Sequence, residues 1–473
     1  MTIASSTRRD HLGRRLAASL AVIVMIGACA VKDPPDLETI RKETALPVPL
    51  GFTTTGPTPG LVVGDWIASF GDEQLTAAVA EGIARNPDLQ SGAARVEQAL
   101  LSAKLAGAKL WPSVDVLARG GGKMSGDGSG LQGGVLSVNW ELDLWGRVRA
   151  GRAAVAADAA AITLDYEYAR LSLAGAVARL WFLATEAELQ AVTARDTIRD
   201  AEELVRLAEA RSNIGVGNDE DVFVARANTG TYRDALRQIE ASRTESLRAL
   251  ELLIGRYPAA SIAVASQLPG QPPSVPVGLP SDLLERRPDI VAAERRVAAA
   301  FHRIQEAKAA RLPKIALTTG VSSISSDLFE LKDHDNPVWN VGANLLMPIF
   351  QGGALKTQVE IRTVEQKQAL AAYAGVGLRA FGEVESALTN EIVAREREQI
   401  LAQTMADNQR AFEIVRTQFD VGKTDLRFVS QRQLALNATR SSIIRMQAEQ
   451  RVQRVNLHLA LGGAFGPPPP PQP

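Results

Sequence analysis

The chain has 473 residues, with 52 basic against 53 acidic side chains and a net charge of −1. That balance argues against a general nucleic-acid binder, which needs a basic excess for phosphate; a single cysteine excludes an internal disulfide framework and a cysteine-rich metal site. Abundant Ala, Leu, Arg, Glu and Gln predict long helices, and no apolar run of about 18 residues supplies a transmembrane helix, although spanning β-strands leave a weaker mark.

Residues 1–28 read as a secretory signal peptide, with Arg8, Arg9, Arg14 and Arg15 preceding the short apolar stretch Leu16 to Ala28. It ends in Ile26-Gly27-Ala28-Cys29, the pattern of a bacterial lipobox: an aliphatic residue, two small residues for the peptidase pocket, and a thiol to carry diacylglycerol. The alternative is an ordinary signal with a chance cysteine. One acyl chain anchors weakly, so durable attachment at Cys29 takes two or three. Ala30 follows, where an aspartate would argue for inner-membrane retention. Residues 29–64 then form a lipid-anchored N-terminal linker.

A first repeat occupies 65–264. Its opening helix leads to a short strand at Ser113 to Arg119 and a Gly/Ser-rich loop from Gly120 to Gly134. Leu136, Val138, Trp140 and Leu142 then alternate with Ser137, Asn139, Glu141 and Asp143, a period of two with one apolar and one polar face. From Gly146 to Ile214 there is no proline and a steady apolar periodicity, roughly 100 Å of helix. A glycine turn leads to a second helix at Asp219 to Ile254. After a Pro-rich connector at 265–282, a second repeat at 283–465 runs through the same order: a helix from Leu283 to Arg311, a strand near Ile315 to Val321, a loop from Ser322 to Pro337, and an alternating strand from Trp339 to Met347. The tail, 466–473, is nearly all proline and predicts an exposed polyproline segment.

The duplication is written in the residues. Asn86-Pro87-Asp88-Leu89 recurs 201 residues on as Arg287-Pro288-Asp289-Ile290, and Arg95, Ala99, Ala106 and Pro112 recur at the same spacing. Past one short insertion the spacing becomes 207: Gly146 meets Gly353, Gly215 meets Gly422, and Gly255 meets Gly462. Alternating strands suit a transmembrane barrel, but a half-buried soluble sheet alternates identically. Four strands cannot close a barrel, since about eight is the minimum, so a membrane reading requires several chains to pool them. The helices of roughly 55 and 43 Å together match the long one, which leaves a coiled-coil rod or a helical barrel.

These residues carry a family resemblance. Trp66-Ile-Ala-Ser-Phe70 with Asp72, Trp140-Glu-Leu-Asp-Leu-Trp145-Gly-Arg147, Gly278-Leu-Pro-Ser281 with Leu283-Leu-Glu-Arg-Arg-Pro-Asp-Ile290, Pro348-Ile-Phe350-Gln-Gly-Gly353 and the closing Asn456 to Gly463 resemble the outer-membrane factor family, TolC-like channels and in particular NodT-type efflux lipoproteins. The resemblance covers about Trp66 to Gly463. It implies an α+β membrane protein: a homotrimer whose twelve-stranded transmembrane β-barrel, four strands per chain, is continued by a long periplasmic α-helical barrel. It also implies the outer membrane as location, a periplasmic adaptor protein, and an inner-membrane transporter reached through that adaptor. Neither a cofactor nor a nucleic acid is implied.

In such proteins the turns between long helices dock the adaptor, which here points to Gly215, Val216 and Gly217 and to Val421, Gly422, Lys423 and Thr424. Plain helix capping by glycine fits the same residues. Just past the second turn the family narrows its pore with Leu and Asp four residues apart. Arg427 and Gln431 hold those places here, while Phe419 and Leu434 stand where the family's closed state uses Tyr and Arg. Three copies of Arg427 would form a cationic ring, which Asp420 and Asp425 nearby would offset; an Arg427 that snorkels to solvent is the alternative. His302 and His458 sit in helical pattern and His334 in a loop beside Asp333 and Asp335, and no catalytic constellation is evident. The reading is a passive exit channel of a tripartite efflux pump. Its alternatives are the duct of a type I protein secretion system or, in another class, a non-channel coiled-coil envelope lipoprotein.

Overall fold

The computed structural model describes residues 32–54, 64–119, 132–272, 275, 278, 280–325 and 338–463. Cys29, His11, His334 and the proline tail lie outside the described residues. In chain order the elements are α1 (Leu37–Thr44), α2 (Glu73–Arg85), α3 (Pro87–Ala108), β1 (Ser113–Arg119), β2 (Gln132–Leu142), α4 (Arg147–Asn213) and α5 (Asp219–Leu253). Then follow α6 (Pro280–Arg286), α7 (Pro288–Ala309), β3 (Lys314–Ser325), β4 (Val338–Leu346), α8 (Ala354–Asp420) and α9 (Leu426–Ala460). The repeat is visible in their lengths: α3 and α7 each hold 22 residues, α4 and α8 each 67, and α5 and α9 each 35.

Two expectations are corrected. The helix expected from Leu283 to Arg311 is broken, with α6 ending at Arg286 and α7 beginning at Pro288. Proline lacks the N–H that a continuing helix needs and disfavours helical geometry in the residue before it. The first repeat breaks likewise between Arg85 and Pro87, where the Asn86 carboxamide oxygen accepts from the Leu89 amide at 3.0 Å. The strands also reach further into the Gly/Ser-rich segments than expected, β2 starting at Gln132 and β3 continuing to Ser325.

The described residues divide into two compact units. The first draws on residues up to Leu46, 95–164 and 291–376, and it contains the sheet. The sheet is antiparallel in the order β1-β2-β3-β4, two hairpins laid side by side, so β1 and β4 are both edges. Its register aligns the alternation across all four strands: Val116, Leu136, Val321 and Trp339 form one row, and Val114, Val138, Thr319 and Val341 the next. Trp140, Leu317 and Ala343 continue the same face, as do Leu142, Ile315 and Leu345. The opposite face carries Ser113, Asp115, Ser137, Asn139, Glu141, Thr318, Asn340 and Asn344, interrupted by Leu117, Val135 and Val338 in one row and by Leu346 at its end. The apolar face is bare: Val341 is 89% and Trp339 75% exposed.

The Trp140 to Arg147 string secures the join of β2 to α4. Trp140 and Trp145 donate their indole N–H groups to the carbonyls of Leu110 (2.9 Å) and Pro313 (2.7 Å), and Glu141 holds Arg147 with two hydrogen bonds. Asp143 accepts from the Val148 and Arg149 amides at 2.9 and 2.8 Å, satisfying donors that the first turn of α4 leaves free.

The second unit comprises 47–94, 165–290 and the described residues from Gly377 onward. Its core packs Trp66, Phe70, Leu75, Val177, Trp181, Phe182, Leu250, Ile254 and Val455. Asp72 caps α2 and also accepts from the Trp181 indole at 2.8 Å, which explains why the Trp66 to Asp72 string reads as one motif. No helix among the described residues is long and apolar enough to cross a membrane.

Candidate functional site

The residues singled out at the ends of the long helices all lie within the second unit. The α4–α5 turn and the α8–α9 turn are built alike. Gly215 and Gly422 lie in the left-handed region, at φ 72° and 73°. At the first, the Val216 amide donates to Arg211 O (3.0 Å) and that of Gly215 to Ser212 O (2.9 Å); at the second, Lys423 donates to Gln418 O (2.8 Å) and Gly422 to Phe419 O (2.9 Å). Each pair, one six-to-one and one five-to-two bond, completes a Schellman motif, so helix capping is part of what the glycines do. Asn218 then caps α5 by accepting from the Asp221 amide at 2.8 Å, whereas Asp425 precedes α9 without a side-chain cap bond.

A small core holds the two turns together. Leu204, Ala208, Val222, Ala225, Phe419, Leu426 and Val429 are buried against one another. The Arg211 guanidinium lies 4.6 Å from the Phe419 ring centroid and donates to the Phe419 carbonyl at 3.1 Å. Arg226 reaches back from α5 to Glu209 on α4 at 2.6 Å. Outside this core the turns also leave apolar side chains open: Ile214, Val216 and Phe223 are exposed in the first repeat, Val421 and Phe428 in the second.

Of the residues singled out in the sequence, Arg427 and Gln431 are exposed on successive turns of α9, with Asp420, Asp425 and Lys423 exposed beside them and Thr424 half-buried. Leu434 is exposed too, while Phe419 is buried. Burial, then the neighbouring Asp425 and Glu220, hold the Asp221 carboxyl above the usual carboxylate range, and Arg427 and Arg211 pull it the other way. The charges of the two turns therefore act on each other. His302 and His458 are buried; His458 stacks on Trp66 at 5.5 Å between centroids, and burial beside Arg454 lowers its imidazole to about 3.

Sequence reasoning missed several buried charged side chains. Arg287, only 2% exposed, is held by Asp289 and Glu383, each at 2.7 Å, and donates to the Ala460 carbonyl. Arg454 on α9 pairs with Glu391 on α8 at 2.5 Å and donates to Pro272 O. The Glu251 carboxylate accepts from three successive amides, Ala260, Ser261 and Ile262, which hold it below the ordinary range despite burial. The Arg-Arg-Pro-Asp string was the available signal for the first of these.

Comparison with known proteins decides the family. The outer membrane efflux protein family matches residues 79–256 and 279–463. The chain belongs to that family. Among curated relatives, the pyoverdine export outer membrane protein OpmQ of Pseudomonas aeruginosa is 29% identical over 467 residues, covering 94% of this chain and 96% of the relative. The cation efflux system protein CusC of Escherichia coli strain K12 is 28% identical over 441 residues, covering 89% of this chain and 94% of the relative. A solved structure of CusC superimposes with a TM-score of 0.80 at 26% identity, over 89% of this chain and 98% of that one. The outer-membrane channel OprN shares the fold, with a TM-score of 0.81 at 22% identity over 93% of this chain and all of that one. As a member of this family the chain is an efflux protein of the outer membrane.

Proposed function

We propose that the protein is the lipid-anchored, homotrimeric exit duct of a tripartite efflux pump, passively conducting small molecules that an inner-membrane transporter delivers through a periplasmic adaptor. The carrying observation is the four-stranded sheet, with a continuous apolar face and an unpaired edge at both β1 and β4. A lone sheet with open edges and a bare apolar face is unstable in water. Three copies joined β4 to β1 would close twelve strands, satisfy every edge, and turn that face to lipid. The 67-residue helices α4 and α8 would continue each sheet into the periplasm, and Cys29 would tether the chain through its acyl groups.

The exposed apolar side chains at Ile214, Val216 and Val421 suit an adaptor that covers the turns, with Gly215, Gly217, Gly422, Lys423 and Thr424 shaping the contact. Exposed Arg427 and Gln431, with Asp420 and Asp425 beside them, suit a constriction formed where three copies meet. A passive duct needs no catalytic group; the transporter supplies the energy.

Planar-bilayer conductance of the purified lipoprotein tests this, wild type beside the double variant Arg427→Ala/Gln431→Ala. A small wild-type conductance that rises sharply in the variant is the expected result. Equal conductance would leave the duct and remove the gate assignment. No conductance from correctly assembled trimers would overturn the duct itself.

A further inference from the structure

A cleft of about 630 Å³ in the second unit is lined by α4, α8 and α9. Its floor is settled, because Arg287 is neutralised by Asp289 and Glu383. Its walls are not. Arg179 on α4 is half-buried and donates to an uncharged partner, the Asn456 carboxamide oxygen, at 3.3 Å. Burial lowers its guanidinium, and no neighbouring carboxylate counters that pull. Arg379 on α8 lines the same cleft, exposed, with no carboxylate paired to it among the described residues.

The repeat brings equivalent positions of two helices to this one cleft. Ser172 and Arg179 lie two turns apart on one face of α4; Arg379 and Ser386 lie two turns apart on one face of α8. At the spacing of 207, Ser172 corresponds to Arg379 and Arg179 to Ser386. Each helix thus contributes one guanidinium and one hydroxyl, in opposite order, and between them stand the corresponding glycines, Gly175 and Gly382. A side chain at Gly382 would meet nothing within 4 Å, so this wall is open, while Gly175 lets Leu459 of α9 approach closely. Tyr168 adds a third hydroxyl to the lining.

We propose that this cleft binds a small molecule carrying carboxylate or phosphate groups, with Arg179 and Arg379 as its cationic ligands. The planar fork of arginine matches both oxyanions, and hydroxyl donors at Ser172, Ser386 and Tyr168 complete their coordination. A partly desolvated guanidinium without a counter-charge is costly, and an anion removes that cost. The volume exceeds what one phosphate fills and lies within the range of sites for small organic ligands. The site does not rest on the docking or gate assignments at the turns.

Isothermal titration of the full-length lipoprotein in micelles tests it, with inorganic phosphate and citrate as probes against sodium chloride at matched ionic strength. Saturable binding of citrate is expected, weakened at least about tenfold in Arg179→Gln/Arg379→Gln and retained in Arg199→Gln, an exposed control. Light scattering and circular dichroism establish that each variant assembles and folds. Failure of wild type to bind either probe, or undiminished binding by the double variant, would overturn the proposal. Wild type that binds neither probe, with a double variant that folds but no longer assembles, would overturn it in favour of a carboxylate from a second copy of the chain.

Discussion

Arg211 joins the ends of the two long helices through both the ring and the backbone of Phe419: the guanidinium lies over the ring at 4.6 Å and also donates to its carbonyl. At the spacing of 207, Gln418 corresponds to Arg211 and Ser212 to Phe419, so the repeat makes this link once and not twice. Phe419 lacks a phenolic hydroxyl, yet it is not idle, because the contact uses its π face and its backbone. Replacing Arg211 by Met keeps the aliphatic stem and removes about 1–2 kcal/mol of coupling between the helix pairs. Faster amide exchange at 415–430 and a raised bilayer conductance are the expected outcomes. Unchanged exchange would mean that the buried core alone holds the turns.

The left-handed glycines separate into two kinds. A Cβ at Gly215 or Gly422 would meet nothing within 4 Å, whereas one at Gly255 would lie 2.8 Å from the Arg85 carbonyl oxygen. Gly215→Ala should therefore cost only the backbone term, about 1–2 kcal/mol. Gly255→Ala should cost more, since backbone must move as well. Thermal unfolding of the two variants in parallel checks this; an equal loss would show that the Arg85 contact relaxes freely.

The spacing of glycines and prolines made the repeat legible, and the absence of proline from Gly146 to Ile214 marked the long helix. Alternation along β2 and β4 located both strands and their apolar face, because a period of two survives without knowledge of partners. The buried charges were not legible. Arg454 and Glu391 lie 63 residues apart on helices rich in exposed Arg and Glu, and nothing local distinguishes the pair that faces inward. The helix break at Arg287 was hidden differently: Pro288 can open a helix as readily as interrupt one, and the guanidinium that fixes the break finds Glu383 from another helix.

That buried pair yields a prediction with a control. Glu391→Gln leaves Arg454, 1% exposed, without its carboxylate and should cost about 3–5 kcal/mol. The double variant Glu391→Leu/Arg454→Met removes both charges and should recover most of the loss. Denaturant unfolding of the single and double variants measures the coupling. A double variant as unstable as the single would show that packing, and not the stranded charge, dominates.

At the first turn the sign of a pH effect follows from Asp221. Its carboxyl is held above the ordinary value, by burial first and then by Asp425 and Glu220. The folded chain therefore binds that proton more tightly than the unfolded chain does. Stability from this group is full in acid and is lost as pH rises from the unfolded value through the raised folded one. Asp221→Asn should then raise the melting temperature at neutral pH and leave it unchanged below the carboxylate range. A gain of equal size at both pH values would assign the effect to something other than ionisation.

The sheet offers the sharpest contrast, because adjacent residues of β4 face opposite ways. Val341 stands in a row with Val114, Val138 and Thr319, while Asn340 shares its face with Ser137 through Gly320. If the first face meets lipid, Val341→Arg places a guanidinium against hydrocarbon at a cost of about 2–4 kcal/mol near the midplane, per copy. Asn340→Arg leaves the charge in water and costs little. Both positions lie on an edge strand and both variants add the same side chain, so strand propensity and net charge cancel in the comparison. Folding yield into lipid vesicles, read as heat-resistant oligomer on gels, should collapse for Val341→Arg and persist for Asn340→Arg. Equal yields would mean that the apolar face is covered by protein and that the strands do not face a bilayer.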